Sequence, residues 1–88
     1  MKLRGEFLVR QVMDNIVAIP VGQTALAFNG MILLNDVSKQ IWNCLEQKAD
    51  FATIVTELTN TFEVSDREAR EDVQEFLDKL RSMQLLDE

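Results

Sequence analysis

The sequence predicts an α+β domain: an N-terminal sheet of three short antiparallel strands, followed by three helices. Three observations predict it. Short β-forming runs separated by turn-forming pairs fill the first third of the chain. Apolar residues at helical spacing, opened by capping residues, fill the remainder. At the joint, Asn29-Gly30 leads into the apolar run Met31-Ile32-Leu33-Leu34, and helical periodicity carrying Ile41-Trp42 begins immediately after Asn35-Asp36.

The strands come first. Phe7 to Met13 alternates imperfectly and is rich in β-formers. Asp14-Asn15 is a tight turn, and Ile16 to Pro20 is the second strand. Pro20 lacks an N–H and therefore marks a strand end or an edge. After a loop at Val21-Gly22-Gln23, Thr24 to Phe28 is expected to pair across Asn29-Gly30 with Met31 to Leu34 as a hairpin.

The helices follow. Asp36 is read as the cap of a first helix, Val37 to Gln47, with Val37, Ile41, Trp42 and Leu45 on one face. Asp50 caps a second, whose apolar residues Phe51, Ile54, Val55, Leu58 and Phe62 follow i, i+3, i+4, i+7, i+11 spacing. Ser65 and Glu68 form a capping box for a third helix, which runs to about Met83. At 100° per residue, Ala69, Val73, Phe76, Leu77, Leu80 and Met83 share one sector of that helix. Leu77 lies at one margin, next to Arg70, Gln74 and Arg81; the opposite margin carries Asp72 and Lys79. The tail, Leu85-Leu86, is expected to dock back on the core or the sheet.

The 88 residues fit one domain, spanning 1–88, with a core that includes Leu34, Ile41, Trp42, Leu45, Ile54, Leu58, Phe62, Val73, Phe76 and Leu80. No apolar run reaches the length of a membrane span, and Met1 to Glu6 lacks the apolar stretch of a secretory signal. One cysteine, Cys44, fits a reducing, cytoplasmic location. The net charge is −6, and residues 49–88 hold eleven acids against four bases. That balance argues against nucleic acid, whose phosphates need clustered cations, and favours a protein or peptide partner.

Enzyme chemistry has little to draw on. There is no His and no Tyr, and Cys44 has no His to activate it. No Gly-rich phosphate loop or metal-ligand spacing appears, so no cofactor or metal is expected. Trp42 is read as core or as an interface anchor, and Met31 as an ordinary strand residue or part of a peptide-binding surface. Arg70 and Arg81 are read as contacts for an acidic partner or as partners of acids on their own helix.

A sheet followed by three helices makes a small winged-helix-like arrangement. In its details the chain resembles the PqqD-like family, the RiPP recognition elements. The residues that carry the resemblance are the apolar strand into Leu34-Asn35-Asp36, then Ile41-Trp42 and Leu45, and Ile54, Val55 and Leu58. They continue with Asp72-Val73, Phe76-Leu77 and Leu80, and close with Leu85-Leu86. The chain departs from the family pattern at Asp36-Val37, where Glu-Thr is common, and at Gln47 to Asp50, where Asp-Gly is common.

The resemblance implies a stand-alone peptide-binding adaptor, not an enzyme. Such modules bind the leader of a ribosomally made precursor peptide and present it to a modifying enzyme, often a radical SAM enzyme, as in pyrroloquinoline quinone biosynthesis. The leader adds as a strand to the third strand, in a groove bordered by the third helix. Carried onto this chain, the strand side is Met31, Ile32, Leu33 and Leu34. The helix side, chosen from the wheel, is Arg70, Val73, Gln74, Leu77 and Arg81. A monomer or weak homodimer is expected. The competing readings are a winged-helix nucleic-acid-binding or transcription-regulatory domain, which needs a basic recognition helix, and a dimerisation module using the same sheet edge.

Overall fold

A computed structural model describes all 88 residues. Strand β1 is Lys2–Leu3, β2 Phe7–Val12 and β3 Asn15–Pro20; a short helix α1, Gln23–Ala27, precedes β4, Ile32–Leu34. Helices α2 (Asp36–Glu46), α3 (Phe51–Thr61) and α4 (Asp66–Ser82) follow, and β5 (Leu86–Asp87) closes the chain. The result is the winged-helix-like α+β arrangement predicted, with one more helix and a second small sheet.

The main sheet has the order β2-β3-β4, all antiparallel. β2 and β3 pair from Phe7↔Pro20 to Val12↔Asn15. Their turn is Met13-Asp14, one residue earlier than predicted, with Met13 at φ 57. Strand alternation sorts the side chains. Val9, Ala18 and Ile32 form one inward row, and Gln11, Ile16 and Leu34 the next, the inner ends of both rows meeting the helices. Arg10, Val17 and Leu33 form an outward row between them. Val17 is buried by its neighbours there, yet lies outside the core cluster.

Thr24 to Phe28 is not a strand. Gln23–Ala27 is helical, with Phe28 N–H donating to the Thr24 carbonyl at 2.8 Å. Gln, Ala and Leu favour helix, and the segment has only one β-branched residue. β4 pairs instead with β3, through Ile16↔Leu34, Val17↔Leu33 and Ala18↔Ile32. α1 is tied to the sheet by Thr24, whose Oγ1 accepts from Glu6 N–H at 2.8 Å. Gly5 lets that contact form: at φ 97, a Cβ there would sit 2.9 Å from the Thr24 side chain.

The helix ends show how local chemistry fixes the layout. α2 is capped by Asn35, not Asp36. Asn35 Oδ1 accepts from Ser38 N–H and Ser38 Oγ accepts from Asn35 N–H, both at 2.8 Å. Asp36 is left in the first turn, where its charge suits the helix dipole. Asp50 caps α3 as predicted, and its hydrogen bonds with Thr53 hold its carboxyl below the usual range. Ser65 Oγ accepts from Glu68 N–H at 3.1 Å, but Glu68 makes no return bond, so only half the predicted box forms.

α2 and α4 end alike. Ala49 N–H donates to the Cys44 carbonyl and Lys48 N–H to that of Leu45; Leu85 and Gln84 do the same to Leu80 and Arg81. These are Schellman motifs, with Lys48 (φ 60) and Gln84 (φ 59) in the left-handed position that glycine usually takes. The turn after α2 therefore keeps its geometry without glycine. The second motif returns the chain to the core. Leu85 and Leu86 are buried, and β5 pairs with β1 through Lys2↔Asp87 and Leu3↔Leu86.

Seventeen buried residues form the core cluster. Nine of the ten predicted core residues belong to it; Phe62, just past α3, is only half-buried and packs at its margin. Trp42 is fully buried, with the Phe7 ring edge-on at 5.3 Å between centroids. Truncating it leaves a large void between sheet and helices. Trp42→Ala should cost roughly 3–5 kcal/mol, close to the whole stability of so small a fold, as read from thermal and urea unfolding.

Candidate functional site

β3 lies between β2 and β4, and each of these outer strands pairs on one side only; β4 is the one that runs beside α4. Its outer edge therefore presents backbone N–H and C=O groups that a further strand can pair. The inward side chains, Ile32 and Leu34, are buried and anchor the strand. Leu33 points outward and is 62% exposed; Met31, just before the strand, is also exposed.

A groove of about 390 Å³ lies beside this edge. One wall is built from Leu33 and from Asn35, Val37 and Ser38 at the start of α2. The other is a stripe of α4: Asp72, Glu75, Phe76 and Lys79, at i, i+3, i+4, i+7. Phe76 is buried except for 8% of its surface and supplies the apolar part of that wall. The groove joins a hydrogen-bonding edge, an apolar surface and fixed charges. It can take an extended chain whose alternate side chains enter it.

The structure brings Met31 to Leu34 to this edge, as the sequence predicts for the strand side. It does not bring the five predicted helix residues there. Val73 and Leu77 are fully buried in the core. Arg70 Nε lies 2.6 Å from Asp66 Oδ2, and Gln74 donates to Asp78 at 3.0 Å. Arg81 is held between Asp78 and Glu88, both at 2.8 Å. The margin facing β4 is the other one, that of Asp72 and Lys79. A helical wheel defines two margins of an apolar stripe and cannot say which adjoins a strand elsewhere in the chain. Charge spacing does not separate them either, since Arg70 has Asp66 and Lys79 has Glu75 at a distance of four residues.

Other titratable groups serve the scaffold. Burial pushes the Cys44 thiol up, with a smaller push from Glu57, so it stays protonated at neutral pH. The Arg81 guanidinium holds the Glu88 carboxyl below its usual range, and Glu88 raises Arg81 in turn. No helix is long and apolar enough to cross a membrane.

Residues 15–86 match the family model for Coenzyme PQQ synthesis protein D (PqqD). The chain belongs to the PqqD family. Within this PqqD chain the match takes in β3, β4 and all four helices, and therefore both walls of the groove. Two solved structures share the fold. One is TbiB1 in complex with the TbiA(beta) leader peptide: TM-score 0.74, 22% identity, covering 99% of this chain and 95% of that one. The other is lasso peptide synthetase B1 complexed with the leader peptide: TM-score 0.71, 23% identity, covering 96% and 93%. No curated protein sequence matches the chain.

Two outcomes follow from these placements. Leu77→Asp should act on folding, because it puts an unpaired charge among buried apolar groups. A loss of several kcal/mol, read as a collapsed or absent thermal transition by circular dichroism, is expected. Glu88→Gln should act through pH. A carboxyl whose folded pKa is depressed adds stability above its unfolded pKa, and that stability is lost as pH falls through the folded value. The melting temperature of Glu88→Gln should therefore lie below the parent's at pH 7, and the two should converge under strongly acidic conditions.

Proposed function

We propose that this PqqD chain is an adaptor that binds the leader of a ribosomally made precursor peptide and presents it to a modifying enzyme. The leader adds as a strand to the outer edge of β4 and lays alternate side chains into the groove against α4. The observation that carries this reading is the free β4 edge running beside the Asp72, Glu75, Phe76 and Lys79 stripe. Membership of the PqqD family supports it, as do two structures of the same fold that hold leader peptides. The helix-side contacts are the four stripe residues together with Val37, in place of Arg70, Val73, Gln74, Leu77 and Arg81.

The adaptor has no catalytic part in this reading, and its single thiol is buried and protonated. A radical SAM enzyme as the partner rests on the family resemblance, and a cytoplasmic setting on the single free Cys44. Nucleic-acid binding is disfavoured because Arg67, Arg70 and Arg81 of α4 are each paired with a carboxylate. A homodimer through β4 would use the same edge and compete with the peptide.

Hydrogen exchange with and without candidate leader peptides, taken from any short reading frames found near the gene, tests the reading. The β4 amides that point away from β3 should gain protection. Leu33→Asp, at an exposed position outside the core, should weaken binding by about 1–3 kcal/mol while leaving the fold intact by circular dichroism. Binding without protection of β4 would move the site elsewhere.

A further inference from the structure

We propose that the groove selects a leader segment with a lysine or arginine at the inward position that falls beside Asp72 and Glu75, flanked by apolar residues. The inference rests on strand addition at β4 and adds what that strand must carry.

The charges of α4 divide by face. Away from the groove they are matched: Arg67 with Glu71, Arg70 with Asp66, and Arg81 with Asp78 and Glu88. In the groove they are not. Asp72 is half-buried, and neither it nor Glu75 has a cation or a hydrogen-bond donor on its carboxylate. Lys79 has no carboxylate partner either. Outside the groove only Glu68, in the first turn where the helix dipole favours an acid, also lacks a cation.

Covering that wall removes water from these charges. An ionised carboxylate that loses water without gaining a partner is strongly penalised. Asp72 sits on a one-carbon stem and cannot swing clear. Lys79 can, because its long stem carries the ammonium back to solvent. The three charges are therefore not equivalent: Lys79, four residues after Glu75, serves that carboxylate or turns to solvent, whereas Asp72 needs a cation from the ligand. Position sets the polarity of the site. Asp72 and Lys79 are seven residues apart, about 10 Å along the helix, so a ligand cation near Asp72 stays clear of Lys79. The chain's net charge of −6 also draws a basic segment toward it at long range.

The test is selection of a displayed library of random peptides, roughly twelve residues long, on the full chain. Hydrogen exchange then identifies the binders that protect β4. Those should be enriched in lysine or arginine at one position, with apolar residues two places away on the same face. The double variant Asp72→Lys, Glu75→Lys should enrich acids at that position instead. Asp72→Asn with Glu75→Gln should weaken the basic binders about three- to tenfold at low salt, and less at high salt. Binders that protect β4 but show no basic preference, and ignore the charge reversal, would overturn this inference and leave the strand-addition reading standing. A library that gives no β4-protecting peptide would overturn both.

Discussion

The molecule is organised around the burial of Trp42. Its indole is fully enclosed, with the Phe7 ring edge-on from the sheet side, and it shares α2 with Ile41 and Leu45, both also fully buried. Seating this side chain presses α2 against the inward face of the sheet. α2 is joined to β4 by a single residue, Asn35, which is also the helix cap. Placing Trp42 therefore places β4. α4 then packs its Val73, Leu77 and Leu80 row into the same core, and its Phe76 margin comes to lie along the outer side of β4.

That chain of constraints leaves the β4 edge open beside α4, while β2 forms the other edge of the sheet. β4 is only three residues long, and its buried Ile32 and Leu34 hold it in place without a second strand beside it. An unpaired edge invites aggregation in most proteins, and short edge strands are one way of limiting it. Here the edge is short, flanked by α4, and set in a surface that is acidic overall. These features discourage indiscriminate pairing while leaving room for a strand that satisfies both the backbone and the groove.

The two Schellman turns make the arrangement possible at the helix ends. Lys48 and Gln84 adopt left-handed backbone at positions where glycine would be easier. Each is compensated by two backbone hydrogen bonds and by return of the chain to the core. The second turn brings Leu86 opposite Leu3, so the N- and C-terminal strands close over the same core. Arg81 ties Glu88 to α4 beyond that point.

Most elements were legible in the sequence because their causes are local. Runs of β-forming residues bounded by turn signals gave β2 and β3, capping residues gave the starts of α3 and α4, and helical spacing gave the buried faces of α2, α3 and α4. Segment 24–28 was misread because the Asn29-Gly30 turn signal was given more weight than the helix propensity of Gln23, Ala25, Leu26 and Ala27. The edge that β4 offers was legible, but not its helical neighbour. The wheel of α4 placed Arg70, Gln74 and Arg81 on one margin of the apolar stripe and Asp72 and Lys79 on the other, with nothing local to choose between them. Only the packing of α4 against α2 and the sheet breaks that symmetry. The sequence alone determined the family resemblance, the core faces and the strand edge. The tertiary structure decided which charges face that edge, because the choice depends on the rotation of one helix against a strand more than thirty residues away.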